Sequence, residues 1–208
     1  MLAAGYATRL YPLTKDRPKP LLEVAGKPML NYIVEKISEV DEIDKIFLIT
    51  NAQFFRHFTD WKKSYKGKKD IIIVNDNTLS DADKLGAVGD MQFILEKEKI
   101  HDDLLVIAGD NLFEFSLNDF VVYFRKKKGN VAALYDIKDK ELAKRFGVVS
   151  IDSNNKLTGF EEKPKNPKTS LIAICCYLFP KQKLFRIKEY LHIGGNKDAP
   201  GHYIEWLY

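Results

Sequence analysis

The sequence predicts an α/β protein with a mixed, mostly parallel central sheet flanked by helices and one inserted antiparallel hairpin. Three observations predict it. Short continuous apolar runs at 45–50, 71–74 and 104–108 have the composition of strands covered on both faces. Between them, apolar residues recur at helical spacing. From Phe146 to Phe160 the pattern becomes an alternation about Asp152-Ser153-Asn154-Asn155, which reads as a hairpin.

Bulk composition narrows the function classes. With 208 residues, 45% hydrophobic and 30% charged, the chain is of ordinary globular type and its length points to one domain. The formal charge of +4 is small, and the basic run at 125–128 suits a solvated helix face, so nucleic acid is not an expected partner. Cys175 and Cys176 are adjacent, which suits neither an ordinary bridge nor a metal site and implies a reduced, cytoplasmic setting. No apolar stretch approaches roughly 18 residues and no signal peptide is present, so no membrane association is expected.

Taken in order, the chain starts with a strand end at Met1-Leu2-Ala3, a small-residue loop and a helix start near Pro28. Ala3, Ala4, Gly5 and Ala7 leave backbone N–H groups uncovered, so an anion can approach them. Arg9 adds a planar fork of donors, and Lys19 a point charge held between Pro18 and Pro20. A basic surface loop and a phosphate cradle both fit these residues. Met29, Leu30, Ile33, Val34 and Ile37 mark the first crossover helix, and 45–50 the next strand. Phe54, Phe55, Phe58 and Trp61 return to helical period as core packing rather than a base-stacking platform. After the strand at 71–74 comes a polar loop, 75–84, and a helix opening at Leu85-Gly86-Ala87-Val88, whose first N–H groups can seat carbonyl or phosphate oxygens.

The strand at 104–108 runs into Gly109-Asp110-Asn111, and ligands of open α/β sheets gather at such strand ends. Asp110 reads equally as a metal ligand or a turn cap. A helix at about 117–128 and a strand at 131–135 form a further βαβ unit. The hairpin then leads into Glu161-Glu162-Lys163-Pro164, which by itself is a polar strand end. A strand at 171–179, a helix at 181–190 and a helix start near Ala199 follow.

Residues 1–28 carry a longer pattern. Leu2-Ala-Ala-Gly-Tyr-Ala-Thr-Arg-Leu-Tyr-Pro-Leu-Thr-Lys-Asp-Arg-Pro-Lys-Pro-Leu-Leu22 resembles the signature of the sugar-1-phosphate nucleotidylyltransferases, with Ala7 where that family carries glycine. Leu85 to Val88 resembles the family's Leu-Gly-Thr-Ala motif, Gly109-Asp110-Asn111 its metal motif, and 146–163 its sugar-phosphate segment. The resemblance covers essentially all of 1–208 and implies a Rossmann-like nucleotidyltransferase fold in one domain. The nucleotide part would be about 1–115 and the sugar-phosphate part about 116–208.

The resemblance implies catalytic roles for Arg9, Lys19 and Asp110, with Mg²⁺ on Asp110. It implies nucleotide contacts from Leu2, Ala3, Ala4, Gly5, Thr8, Gly86 and Ala87, and sugar-phosphate contacts from Gly147, Glu162 and Lys163. Glu161 is a further candidate there. For the base, Asn75, Asp81 and Asp83 are candidates beside plain loop solvation, and Cys175-Cys176 stands where several relatives carry Thr-Gly. The implied reaction is attack of a sugar 1-phosphate on the α-phosphorus of a nucleoside triphosphate, releasing pyrophosphate. A phosphate monoester with a second pKa near about 6 needs no general base, and none of the four histidines falls in a motif. Cytidylyl transfer to phosphocholine or a similar phosphorylated alcohol is the alternative reaction, and a non-catalytic regulatory module the alternative class. Homo-oligomer formation is compatible with either. The family's second metal carboxylate has no counterpart before Tyr208, so these residues are expected to be part of a longer chain.

Overall fold

All 208 residues are described by a computed structural model. The first strand residue, Leu2, bridges two strands at once: its amide donates to Ile107 O (2.9 Å) and its carbonyl accepts from Gly109 N (2.8 Å), while the next amide, Ala3, donates to Ile49 O (2.9 Å). Leu2 thus lies between β3 (Lys45–Thr50) and β5 (Leu104–Ile107), parallel to both. Outside β3 runs β4 (Asp70–Asn75), also parallel. Bulky β-branched residues in these strands suit a sheet buried on both faces.

The second part of the sheet is antiparallel and centres on β9 (Leu171–Phe179). One edge of β9 pairs with β6 (Val131–Asp136); the other pairs first with β7 (Gly147–Ile151) and then with β5. Because β5 and β6 are each antiparallel to β9, they are parallel to one another, as a βαβ unit requires, with β9 inserted between them. The expected hairpin is β7 with β8 (Leu157–Glu162), its turn fixed by Asp152, whose Oδ1 accepts from Asn154 N and Lys156 N. β9 changes partner at Cys175, which has φ 49° and marks a bulge where β6 also slips register.

Helices cover both faces. Helices α1 (Met29–Ser38), α2 (Phe55–Ser64) and α4 (Leu117–Lys127) bury Leu30, Ile33, Phe58, Trp61 and Phe124 on one side. On the other side α3 (Ala87–Lys97), α6 (Phe185–His192) and α7 (Pro200–Leu207) bury Val88, Met91, Ile187, Tyr190 and Tyr203. β9 serves both cores by alternation, with Cys176 and Leu178 facing the first and Tyr177 and Phe179 the second. Phe54, Phe58 and Trp61 are buried, as their period predicts.

Two small elements escape the periodicity argument because neither buries an apolar stripe. One is the hairpin β1 (Glu23–Val24) with β2 (Lys27–Pro28), turned by Ala25 and Gly26, both at positive φ. The other is the one-turn helix α5 (Lys140–Ala143), capped by Asp139, whose Oδ1 accepts from Glu141 N and Leu142 N.

Candidate active site

The loop after the first strand is built to leave its amides open. From Ala4 to Thr8 no backbone N–H has a partner within the chain. Ala7 bends the loop here: at φ 49°, ψ 38° it is left-handed, a conformation that recurs in anion-binding turns. The loop is braced from behind. Asn51, fully buried at the end of β3, donates to Ala4 O (2.9 Å) and accepts from Phe54 N (2.9 Å), and Thr14 Oγ1 donates to Ala7 O (2.8 Å). Of the small residues read as uncovered, Ala3 is a correction, since its amide is occupied in the sheet; so are both backbone groups of Leu2. The open run begins one residue later. Thr8 and Arg9 lie in an exposed 3-10 turn, Thr8–Leu10, and the Arg9 guanidinium is free toward solvent.

Lys19 and Asp110 meet. Lys19 Nζ donates to Asp110 Oδ2 at 2.5 Å, with each side chain about one-third exposed (37% and 35%). The approach is set by backbone: Gly109 has no side chain, and a Cβ there would lie 3.1 Å from Pro20 Cγ, so the Pro-Lys-Pro turn packs on the Gly109-Asp110 corner. Asn111 pins the corner from the other side by donating to Ile174 O.

The start of α3 differs from expectation. Val88 N donates to Lys197 O (2.9 Å) and Ala87 N to Asp198 O (3.4 Å), so these amides are capped from within and Ala87 is not a free seat. Gly86 keeps its N–H, and its φ of 77° with Lys197 O close against it demands glycine. Asp198 itself is engaged by Lys84 (3.1 Å), which also holds Asp81 (3.1 Å). Asn75 and Asp83 are likewise engaged in loop geometry. Asn75 Oδ1 accepts from Asn77 N, and Asp83 accepts from Ser80 Oγ and the amides of Leu79 and Ser80, which together lower its carboxyl to about 2. None of the three base candidates stands free.

Two other carboxyls do stand out: Asp76 at the end of β4 and Asp90 in the first turn of α3, each 5% exposed. Asp76 Oδ2 and Asp90 Oδ1 are both buried without a hydrogen-bond partner, and burial, then the Asp76 and Asp198 charges, push Asp90 up to about 8. Asp76 Oδ1 accepts from Thr78 N (2.7 Å) and Thr78 Oγ1 (2.8 Å), and Thr78 reaches Tyr6 OH (3.2 Å) in the open loop. The signal was legible: Asp90 falls at helical spacing on the apolar face with Ala87 and Ile94. Asp76, flanked by asparagines, gave none.

On the hairpin side, Gly147 opens β7 directly opposite Glu162 in the ladder. A Cβ at Gly147 would lie 2.9 Å from Glu162 Oε2, and one at Gly201, in the first turn of α7, would overlap the same oxygen. Two glycines therefore make room for one carboxylate, whose side chain is only 8% exposed. Lys163, at φ 50°, carries its ammonium 3.6 Å from Glu162 Oε1. Glu161 points to solvent. Cys175 lies between the halves: burial first, then the charges of Asp110 and later Glu162, push its thiol up to about 12.

A profile of the family described as nucleotidyl transferase matches residues 1–199. The bifunctional protein GlmU of Methanocaldococcus jannaschii is 35% identical over 196 residues, which is 91% of this chain and 41% of GlmU. A protein of Sulfolobus acidocaldarius assigned as a mannose-1-phosphate guanyltransferase is 32% identical over 90% of this chain and 49% of its own. The chain therefore spans less than half the length of these two relatives. Among solved structures, a Bacillus anthracis protein assigned as a glucose-1-phosphate thymidylyltransferase, in complex with sucrose, superposes with a TM-score of 0.77 at 30% identity. The match covers 90% of this chain and 73% of that one.

Proposed function

The chain belongs to the nucleotidyl transferase family, and from that we propose that it transfers a nucleotidyl group from a nucleoside triphosphate to a sugar 1-phosphate, releasing pyrophosphate. The observation that carries this reading is that the open amides of 4–8 follow directly on Leu2 and Ala3, against which the Gly109 corner of the Lys19–Asp110 pair packs. Amides and cations suit the triphosphate, and the carboxylate beside them suits a hard cation. Mg²⁺ fits the donor set: Asp110 offers a carboxylate oxygen, a hard ligand, on a side chain about one-third exposed. When bound, Mg²⁺ supplies charge neutralisation across the phosphates.

The chain's own residues do the rest. The amides of Ala4, Gly5 and Thr8 and the Gly86 N–H hold the nucleotide, and Arg9 and Lys19 neutralise the phosphates as charge shifts to the leaving pyrophosphate. Glu162, braced between Gly147 and Gly201, accepts from sugar hydroxyls, and Lys163 pairs with the acceptor phosphate. No general base is needed, because the acceptor is already an anion. No helix is long and apolar enough to cross a membrane. A cytoplasmic setting, where nucleoside triphosphates are available and thiols stay reduced, completes the reading.

The test is pyrophosphate release from each nucleoside triphosphate paired with phosphorylated acceptors. The wild type is expected to be active with at least one sugar 1-phosphate. Arg9→Ala and Lys19→Ala should each lose about 10²–10³ in rate, and Asp110→Asn should lose the metal-dependent activity. Activity with phosphocholine alone, or full activity of all three variants, would reject the proposal.

A further inference from the structure

The Lys19–Asp110 ion pair points beyond a site that merely contains both residues. We infer that Lys19 is a lock on Asp110, keeping bare divalent cations off the carboxylate and releasing it when a triphosphate arrives; this rests on the proposed function above. The contact is built in, because Lys19 is fixed between two prolines, Pro20 packs on Gly109, and the side chain reaches the carboxylate 91 positions away at 2.5 Å. No group of three or more His, Cys, Asp or Glu side chains is placed to hold a metal anywhere in the chain, so nothing else in it competes strongly for the ion.

Charge accounting then gives the order of events. A bare cation would have to expel the Lys19 ammonium into solvent and take only one carboxylate in return. A triphosphate seated on the amides of 4–8 offers Lys19 a better partner in phosphate oxygens, so the ammonium moves from one anion to another. Asp110 becomes free as the phosphates bring their own counter-ion. The exchange is reversible because the pair is partly exposed and hence modest in strength. Lys19 returns to Asp110 as pyrophosphate leaves, which favours product release.

Mn²⁺ binding, followed by water-proton relaxation, tests this without turnover, since Mn²⁺ takes the same hard oxygen ligands as Mg²⁺. Wild-type protein should bind Mn²⁺ alone at least about tenfold more weakly than Lys19→Met, the expected effect of a unit charge beside a divalent ion near the surface. The gain should vanish in Lys19→Met/Asp110→Asn, and inorganic tripolyphosphate should bring Mn²⁺ onto the wild type. Circular dichroism checks the fold, with Lys19→Gln as the substitute should Met misfold. Equal Mn²⁺ affinity in wild type and Lys19→Met, or a gain that survives loss of Asp110, overturns the lock. Failure of tripolyphosphate to bind at all overturns instead the cradle on which the proposed function stands.

Discussion

At Ala7, a single methyl group stands against the conformation the loop needs. The left-handed backbone that opens the amides of 4–8 costs a non-glycine residue roughly 1–2 kcal/mol, whereas glycine adds about 0.5–1 kcal/mol of unfolded-state entropy. Ala7→Gly should therefore stabilise by about 0–1.5 kcal/mol, a rise in melting temperature of about 6 °C at most. A fall in melting temperature would show that the methyl group contributes packing that the backbone argument omits. The two thiols make the opposite case of residues that look reactive and are not. Burial pushes Cys175 up to about 12 and Cys176 higher still, so neither forms thiolate at working pH. Iodoacetamide at pH 8 should leave both unmodified in the native protein and alkylate both in denaturant. Labelling of the native protein would mean that the strand at 175 opens.

Helix α3 owes its placement to polar groups as much as to Val88 and Met91. Its first turn is capped by carbonyls of 197–198, and its buried Asp90 feels the charge of Asp76, which is itself bonded through Thr78 to the cradle residue Tyr6. Asp90 is raised from its ordinary range to about 8, so the folded state holds a proton that the unfolded chain releases. The stability from that proton is fully present below the unfolded pKa near 3.8 and is lost as pH rises through about 8. Wild-type stability should fall across this window by up to about 1.4 kcal/mol per pH unit. Asp90→Asn, which has no proton to lose in this range, should flatten the slope. An unchanged slope would mean that Asp90 is ionised in the fold.

Across the whole molecule, the parallel and antiparallel parts of the sheet are joined through the backbone of Leu2, two residues before the open amides. Phosphate binding at 4–8 therefore bears on the joint itself. Tripolyphosphate at about 100 times its dissociation constant should stabilise the fold by about 2.7 kcal/mol. One melting transition should move upward by several degrees. Two transitions, only one of them moving, would show that the halves unfold separately.

The sequence by itself determined the order and type of nearly every strand and long helix, the hairpin, and the open loop. It also supplied Arg9, Lys19 and Asp110 as candidates, of which Lys19 and Asp110 meet and Arg9 is exposed. Periodicity reports burial, and small residues and prolines report backbone freedom; both act within a few residues along the chain, so both are legible there. Even the departure at Ala7 is local, since a missing glycine in a loop of open amides is a statement about φ. What only tertiary structure decided lies between residues far apart. The capping of α3 by 197–198, the bracing of Ala4 by Asn51 and the room made for Glu162 by Gly147 and Gly201 all depend on how layers dock. So does the Asp76–Asp90 pair, because a carboxyl keeps its proton only when water is excluded from both sides, and no stretch of sequence records that exclusion.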